Sequence, residues 1–278
     1  GGSAALLGLG ATGSTTVNVI DTTTRAGISG GDVAASDLAI AAYHDAILSN
    51  AAGALALGTV GGVAGSVAVN ISDATTEAYL GDDPDTEDAV EETTVEIADR
   101  VAVSAETANA LTNIVASVGF GGGLGGAGAA GVNQLSDRTA ATVANADFER
   151  EADDVAIDAT AVNELTTWGG AAGVGYGNGA GAAVGVNILR TTTAATLRNS
   201  TVDTGSLEVT ADSTRELDNV VTGLGGSTGF SAAGAIAINL VGDADPVAAG
   251  GRRGDAWQAT GAARNTADQN SSMVQDKT

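Results

Sequence analysis

The chain contains no cysteine, so disulfides and thiolate metal sites are excluded. Absence of cysteine also suits an exported protein. Lysine occurs once, at Lys277, against 34 acidic residues, and the formal charge is −23. That balance disfavours nucleic acid and anionic membrane surfaces as partners and favours a self-repelling surface bathed in salt or divalent cations. Proline occurs only as Pro84 and Pro246, which argues against a Pro-rich linker and against collagen. Aromatic residues make up 3% of the chain although apolar residues reach 44%. A core built with so few large side chains implies backbones that approach closely. With His44 as the sole histidine, no Ser/His or Cys/His nucleophile system can be assembled, and we expect no enzyme activity.

What the chain has instead is a repeat. An apolar residue followed by Asn recurs at Asn18, Asn70, Asn133, Asn187 and, weakly, Asn239. Six residues after each of the first four stands Thr24, Thr76, Thr139 or Thr193. Ala26, Ala78, Ala141 or Ala195 follows at eight, and Ile28, Leu80, Val143 or Leu197 at ten. A V-x-V-like element then ends at Ile40, Val103, Ile157 and Val209. From its last residue a Leu follows at eight, an apolar or small residue at eleven, and the next motif Asn at thirty. The distance from Asn to that element varies, being 22, 33, 24 and 22. The ideal unit is therefore 52 residues, with all length variation in one connection.

The repeats divide residues 1–260 into units at about 3–53, 54–121, 122–177, 178–229 and 230–260, leaving a polar tail at 261–278 that reads as poorly ordered. The chain opens inside a repeat and is expected to be part of something longer. Apolar–polar alternation and abundant Thr and Val predict strands; apolar spacing at 37–49 and 106–117 leaves a helix open there. Short strands, Gly and Asx turns and a fixed period predict an all-β fold: a parallel β-solenoid (β-helix) of ~52-residue repeats. Each unit would form two coils of about 26 residues or three of about 17, giving a rod of roughly 50–70 Å at the usual strand spacing. Tandem small β-sandwich units and an up-and-down β structure are the alternatives.

Several stretches resemble sites. Gly8–Gly13 and Gly121–Gly126 fit G-x-G-x-x-G, but a strand-like segment follows the first where a nucleotide site needs a helix. Tight packing is the better reading. The uncharged runs 50–71, 111–135 and 165–189 are long enough to cross a membrane, yet they are Gly-rich and alternate. They are read as buried strands, without membrane insertion. The acidic insertion 82–92 holds seven carboxylates. It is expected as an exposed loop, with Asp82, Asp83, Asp85 and Asp88 as weak Ca²⁺ ligand candidates. Arg253-Gly-Asp255 matches an integrin-binding tripeptide, a short and cheap match. The motif Asn residues are expected to cap turns by satisfying backbone groups, or else to form a recognition stripe.

The pattern Gly/Ala-rich run, Val-Asn-Val-Ile-x-x-x-Thr-x-Ala-x-Ile, then V-x-V-x-Ala, resembles units of very large bacterial secreted proteins. These are the filamentous adhesins and haemagglutinin-like exoproteins, including the leukotoxin-type filamentous adhesin group. The resemblance covers about residues 5–260. It implies a β-solenoid stalk, export to the bacterial cell surface and a role in adhesion or biofilm matrix, and it supplies no catalytic residues. The expected function is a structural or adhesive segment of an extracellular fibre. Its partners would be copies of itself, stacked end to end, and a host or neighbouring cell surface. Alternatives are a Ca²⁺-stabilised secreted adhesin module, a carbohydrate-active β-helix protein and a Thr-based surface-binding solenoid.

Overall fold

Side chains alternate inward and outward along every long segment of the chain, the period that a strand imposes. In the computed structural model, which describes residues 1–5, 8–83, 92–149, 152–242, 257–260 and 274–275, this alternation builds two facing sheets and no helix. One sheet holds β1 (Gly2–Ala5), β3 (Gly31–Gly58), β5 (Thr93–Gly121), β8 (Ala152–Gly175) and β10 (Thr204–Gly226), with β7 (Ala146–Phe148) alongside β5. The other holds β2 (Leu9–Ile28), β4 (Gly61–Gly81), β6 (Leu124–Ala144), β9 (Asn178–Arg198) and β11 (Phe230–Gly242). The chain passes from one sheet to the other at each turn, and each long strand pairs in parallel with its counterpart in the next unit. This is a parallel β-solenoid. Its pairings join successive units, which tandem sandwiches and up-and-down structures do not do.

Each unit is a single coil. Asn18 pairs with Asn70, Asn70 with Asn133, Asn133 with Asn187 and Asn187 with Asn239. The expected two or three coils per unit are thus corrected to one, because the strands run to 20–29 residues without a corner. Five coils stack to only about 20–25 Å, while a 21-residue strand spans about 70 Å. The segments 37–49 and 106–117 lie within β3 and β5, where burial alternates with period two; their apolar residues at three- and four-residue spacing sit on both faces. Beyond β11, β12 (Trp257–Thr260) pairs antiparallel with β9, and β13 (Val274–Gln275), within the predicted polar tail, pairs with β12.

The cross-section is a wedge whose shape follows side-chain volume. At the thick end Leu80, Ile97, Val101, Val103, Val143 and Ile157 fill the space between the sheets. At the thin end glycines do so. A Cβ on Gly62, Gly119, Gly125 or Gly173 would collide with carbonyl oxygens of the facing sheet. The scarcity of large residues is thereby explained: over half its width the solenoid holds its sheets too close for anything bigger. The uncharged runs contribute both faces of this thin half. Their inward residues are buried, but Val63, Val67, Ile114 and Trp168 point outward and are exposed, so reading these runs wholly as buried strands is corrected.

The thick-end corners need left-handed backbone, which Gly30, Gly81, Asn145 and Asn199 supply at φ of 69°, 96°, 54° and 48°. Length variation collects here. In the third coil one residue, Asn145, separates Ala144 from Ala146; in the second, Gly81 and Thr93 occupy the paired positions with 82–92 between them. Asp85 and Asp88 fall outside the described residues, as does Arg253-Gly-Asp255. Deleting residues 84–91 should therefore change unfolding free energy by less than about 1 kcal/mol, as insertions at such corners are weakly coupled to the stack; urea titration followed by circular dichroism checks it.

Candidate functional site: a polar ladder between the sheets

Parallel in-register stacking brings every residue beside its counterpart one coil away, so a polar side chain placed inward can be satisfied by its own copy. The Asn column does this. It lies in mid-strand, not at a turn, which corrects the capping role. Asn70, Asn133 and Asn187 are fully buried, so it is not an exposed recognition stripe either. Asn18 Nδ2 donates to Asn70 Oδ1 at 3.1 Å, Asn70 to Asn133 at 3.0 Å, and Asn133 to Asn187 at 3.1 Å. The same amides reach across the interior to backbone carbonyls: Asn70 to Thr112 O at 3.2 Å, Asn133 to Thr166 O at 2.9 Å, Asn187 to Asp218 O at 2.9 Å.

A second column answers from the facing sheet. Asn50, Asn113, Thr167 and Asn219 share one register. Asn113 Nδ2 donates to Val132 O at 2.6 Å and to Asn133 Oδ1 at 2.8 Å, and Thr167 Oγ1 donates to Asn187 Oδ1 at 2.6 Å. The sequence carried this signal. Counting ten residues from Ile40, Val103, Ile157 and Val209 lands on these four positions, between the Leu at eight and the apolar residue at eleven. The two columns sew the sheets together through their amide donors, while Asn113 Oδ1 and Asn219 Oδ1 are buried with no hydrogen-bond partner.

Beyond the Leu layer formed by Leu48, Leu111, Leu135, Leu165 and Leu189 lies a second polar layer, and it contains charge. Asp137 is fully buried, accepting from Asn163 Nδ2 at 2.9 Å and from Thr139 Oγ1 at 3.4 Å. Asn109 Nδ2 donates to Asn163 Oδ1 at 3.0 Å. Buried Arg215 donates to Thr191 O at 2.8 Å. Thr107 Oγ1 lies 2.8 Å from both Thr76 Oγ1 and Thr139 Oγ1, so two members of the predicted Thr column join this layer. Burial pushes the Asp137 carboxyl up to about 6; its bonds from Asn163 and Thr139 and the charge of Arg215 oppose this, and Asp73 adds to it.

On the outside, Glu77 is covered by Arg25 at 3.1 Å and Arg138 at 3.0 Å. The Arg25 guanidinium also lies 5.4 Å from the Tyr79 ring centre, and that ring crosses the place a side chain would occupy at Gly27. Of the Ca²⁺ candidates, Asp82 accepts from Asn145 Nδ2 at 3.2 Å, and Asp83 bonds Arg25 and the Tyr79 hydroxyl. Among the described residues, no group of three or more His, Cys, Asp or Glu is placed to hold a metal ion. A carboxylate patch lies on the outer face of the first sheet. Burial, then Glu208, Asp212 and Glu106, raise the Asp158 carboxyl above the usual range, against a bond from Thr160.

Two outcomes are expected. Asn133→Leu keeps the volume but strands donors and acceptors on Asn70, Asn113 and Asn187. It should cost about 3 kcal/mol or more, while exposed Asn178→Leu should change stability by less than about 0.5 kcal/mol, both by urea unfolding. For Asp137 the folded carboxyl holds its proton more tightly than the unfolded one, whose value is near 3.8. Its contribution is thus full below about pH 3.8 and is lost as pH rises through about 6, a loss on the order of 3 kcal/mol. Asp137→Asn should flatten that decline in unfolding free energy measured from pH 4 to 7. Compared with family models and with curated proteins, the chain matches none.

Proposed function

We propose that this chain is a structural segment of an extracellular bacterial fibre or adhesin stalk, in which coils continue end to end from one copy to the next. The supporting observation is the in-register stack itself. Asn pairs with Asn through five coils, and the interior bonds run along the axis from coil to coil. An end coil of this kind offers a row of backbone donors and acceptors and a half-completed polar ladder. A further coil of the same pattern satisfies both. The buried polar groups join one strand to another, which suits load-bearing. The resemblance of the repeat motif to bacterial filamentous adhesins points the same way, to the cell surface, with a host or neighbouring cell as the second partner.

The Asp158 patch favours one rival, a carbohydrate-active β-helix protein, since it sets a carboxyl raised in pKa beside others on adjacent coils. Fibre diffraction from concentrated, aligned protein separates the readings. Axial stacking predicts filaments by negative stain and a reflection near 4.8 Å along the filament axis. Isolated particles at every concentration, together with release of reducing sugar from a polysaccharide that Asp158→Asn abolishes, would replace the fibre by the enzyme.

A further inference from the structure

Two hydroxyls of the Thr–Asp–Asn layer, Thr193 Oγ1 on β9 and Ser213 Oγ on β10, are buried with no hydrogen-bond partner among the described residues. Stranding a buried hydroxyl is costly, so each such group calls for a physical reason. The strand registers supply one. Thr76, Thr139 and Thr193 form an inward column on the sheet of β4, β6 and β9. Thr107, Ala161 and Ser213 form the column that faces it. Thr107 Oγ1 lies 2.8 Å from both Thr76 Oγ1 and Thr139 Oγ1, and so bridges two neighbouring threonines of the other sheet. The same offset between the sheets holds one coil further on: Asn113 reaches Asn133, and its counterpart Thr167 reaches Asn187. The residue set between Thr139 and Thr193 is therefore Ala161, which has no hydroxyl. The bridge is missing at that coil, and Thr193 Oγ1, which it would have joined, is one of the two stranded groups.

We propose that Ala161 makes a binding site for one internal water, which takes the place of the missing hydroxyl between Thr139 Oγ1 and Thr193 Oγ1, with Ser213 Oγ as its third partner. Room and polarity both fit. Alanine is smaller than threonine by a methyl and a hydroxyl, about the space that one water fills. Ala161 and Thr139 are fully buried, and Thr193 and Ser213 are only 5% and 3% exposed, so the site is enclosed and too small for a larger ligand. An apolar hole of this size would stay dry. Hydroxyls line this one, each able to donate and to accept, and an internal water needs two to four such partners. The water also extends a line of hydroxyls along the stacking axis. Thr76, Thr107 and Thr139 are already joined, and Thr139 Oγ1 lies 3.4 Å from Asp137 Oδ1. Through Thr139 the site sets an exchangeable proton carrier one hydroxyl away from the buried Asp137 carboxyl. It belongs to the interior of a single chain and stands whether or not copies stack end to end.

A pair of replacements in the full chain tests the site. Ala161→Thr supplies the hydroxyl and takes the water's place. Ala161→Val has the same shape and also expels the water, but it offers nothing to Thr139 and Thr193. In urea titrations followed by circular dichroism, Ala161→Thr should be at least as stable as the parent. Ala161→Val should fall below Ala161→Thr by about tenfold or more in the unfolding equilibrium constant. A crystal structure that shows ordered solvent should place a water within hydrogen-bond reach of Thr139 Oγ1 and Thr193 Oγ1 in the parent and none there in Ala161→Thr. Magnetic relaxation dispersion of water should count one fewer long-lived internal water in either variant. Equal stability of the Val and Thr variants would make the space dry and apolar, and overturns the proposal. Equal destabilisation by both would mean that the sheets close up over Ala161, and overturns it too. So does a parent with no water at that position, or a count of long-lived waters that Ala161→Thr leaves unchanged.

Discussion

Everything in this molecule follows from stacking like on like at one strand spacing. A residue turned inward meets its own counterpart above and below, and the opposite sheet in front. An apolar position becomes a continuous rib, a glycine position becomes a line of backbone contact, and a polar position must satisfy itself or be stranded. The interior therefore runs in stripes across the coil: an aliphatic block, a Thr–Asp–Asn layer, a leucine rib, an asparagine rib and a glycine seam. The stripes fix register more firmly than a uniform aliphatic core could, because a one-residue slip would set amides against leucines and turn each inward residue outward. Displacing a single coil along the strand would break several bonds at once.

Much of this was legible in the sequence. The period, the constant thirty-residue half and the variable corner all came from spacing alone, and each has its place in the solenoid. The inward columns of Thr, Ala and Ile or Leu were visible because even spacing from the motif Asn keeps them on one face. Coil number was not legible. A strand of two dozen residues is far longer than the usual five or six, and Gly-Gly inside it reads as a turn until the facing backbone explains it. The asparagines were misplaced for the same reason: with short strands assumed, a mid-strand Asn looks like a strand end.

Asp137 and Arg215 were invisible for another reason. Each belongs to a column whose other members are uncharged, Ala74 and Thr191 beside Asp137, Asn109 and Asn163 toward Arg215. A charge at one coil of a polar rib carries no periodic signal, and only the facing of the two sheets shows which groups answer it. The acidic composition had suggested solvated carboxylates throughout; the interior holds one in a place where its proton is retained well above the usual range.

The asparagine rib also has a direction. From Asn18 through Asn70 and Asn133 to Asn187 its side-chain amides donate from one coil to the next along the chain, so their dipoles add along that stretch of the stack. The ladder is therefore directional, with every donor pointing the same way from Asn18 toward Asn187, as a magnet has a direction. In the axial stacking proposed above, a copy that continued this ladder would join head to tail, not head to head. A fibre assembled on this rule is a polar object, with two ends that a cell could treat differently.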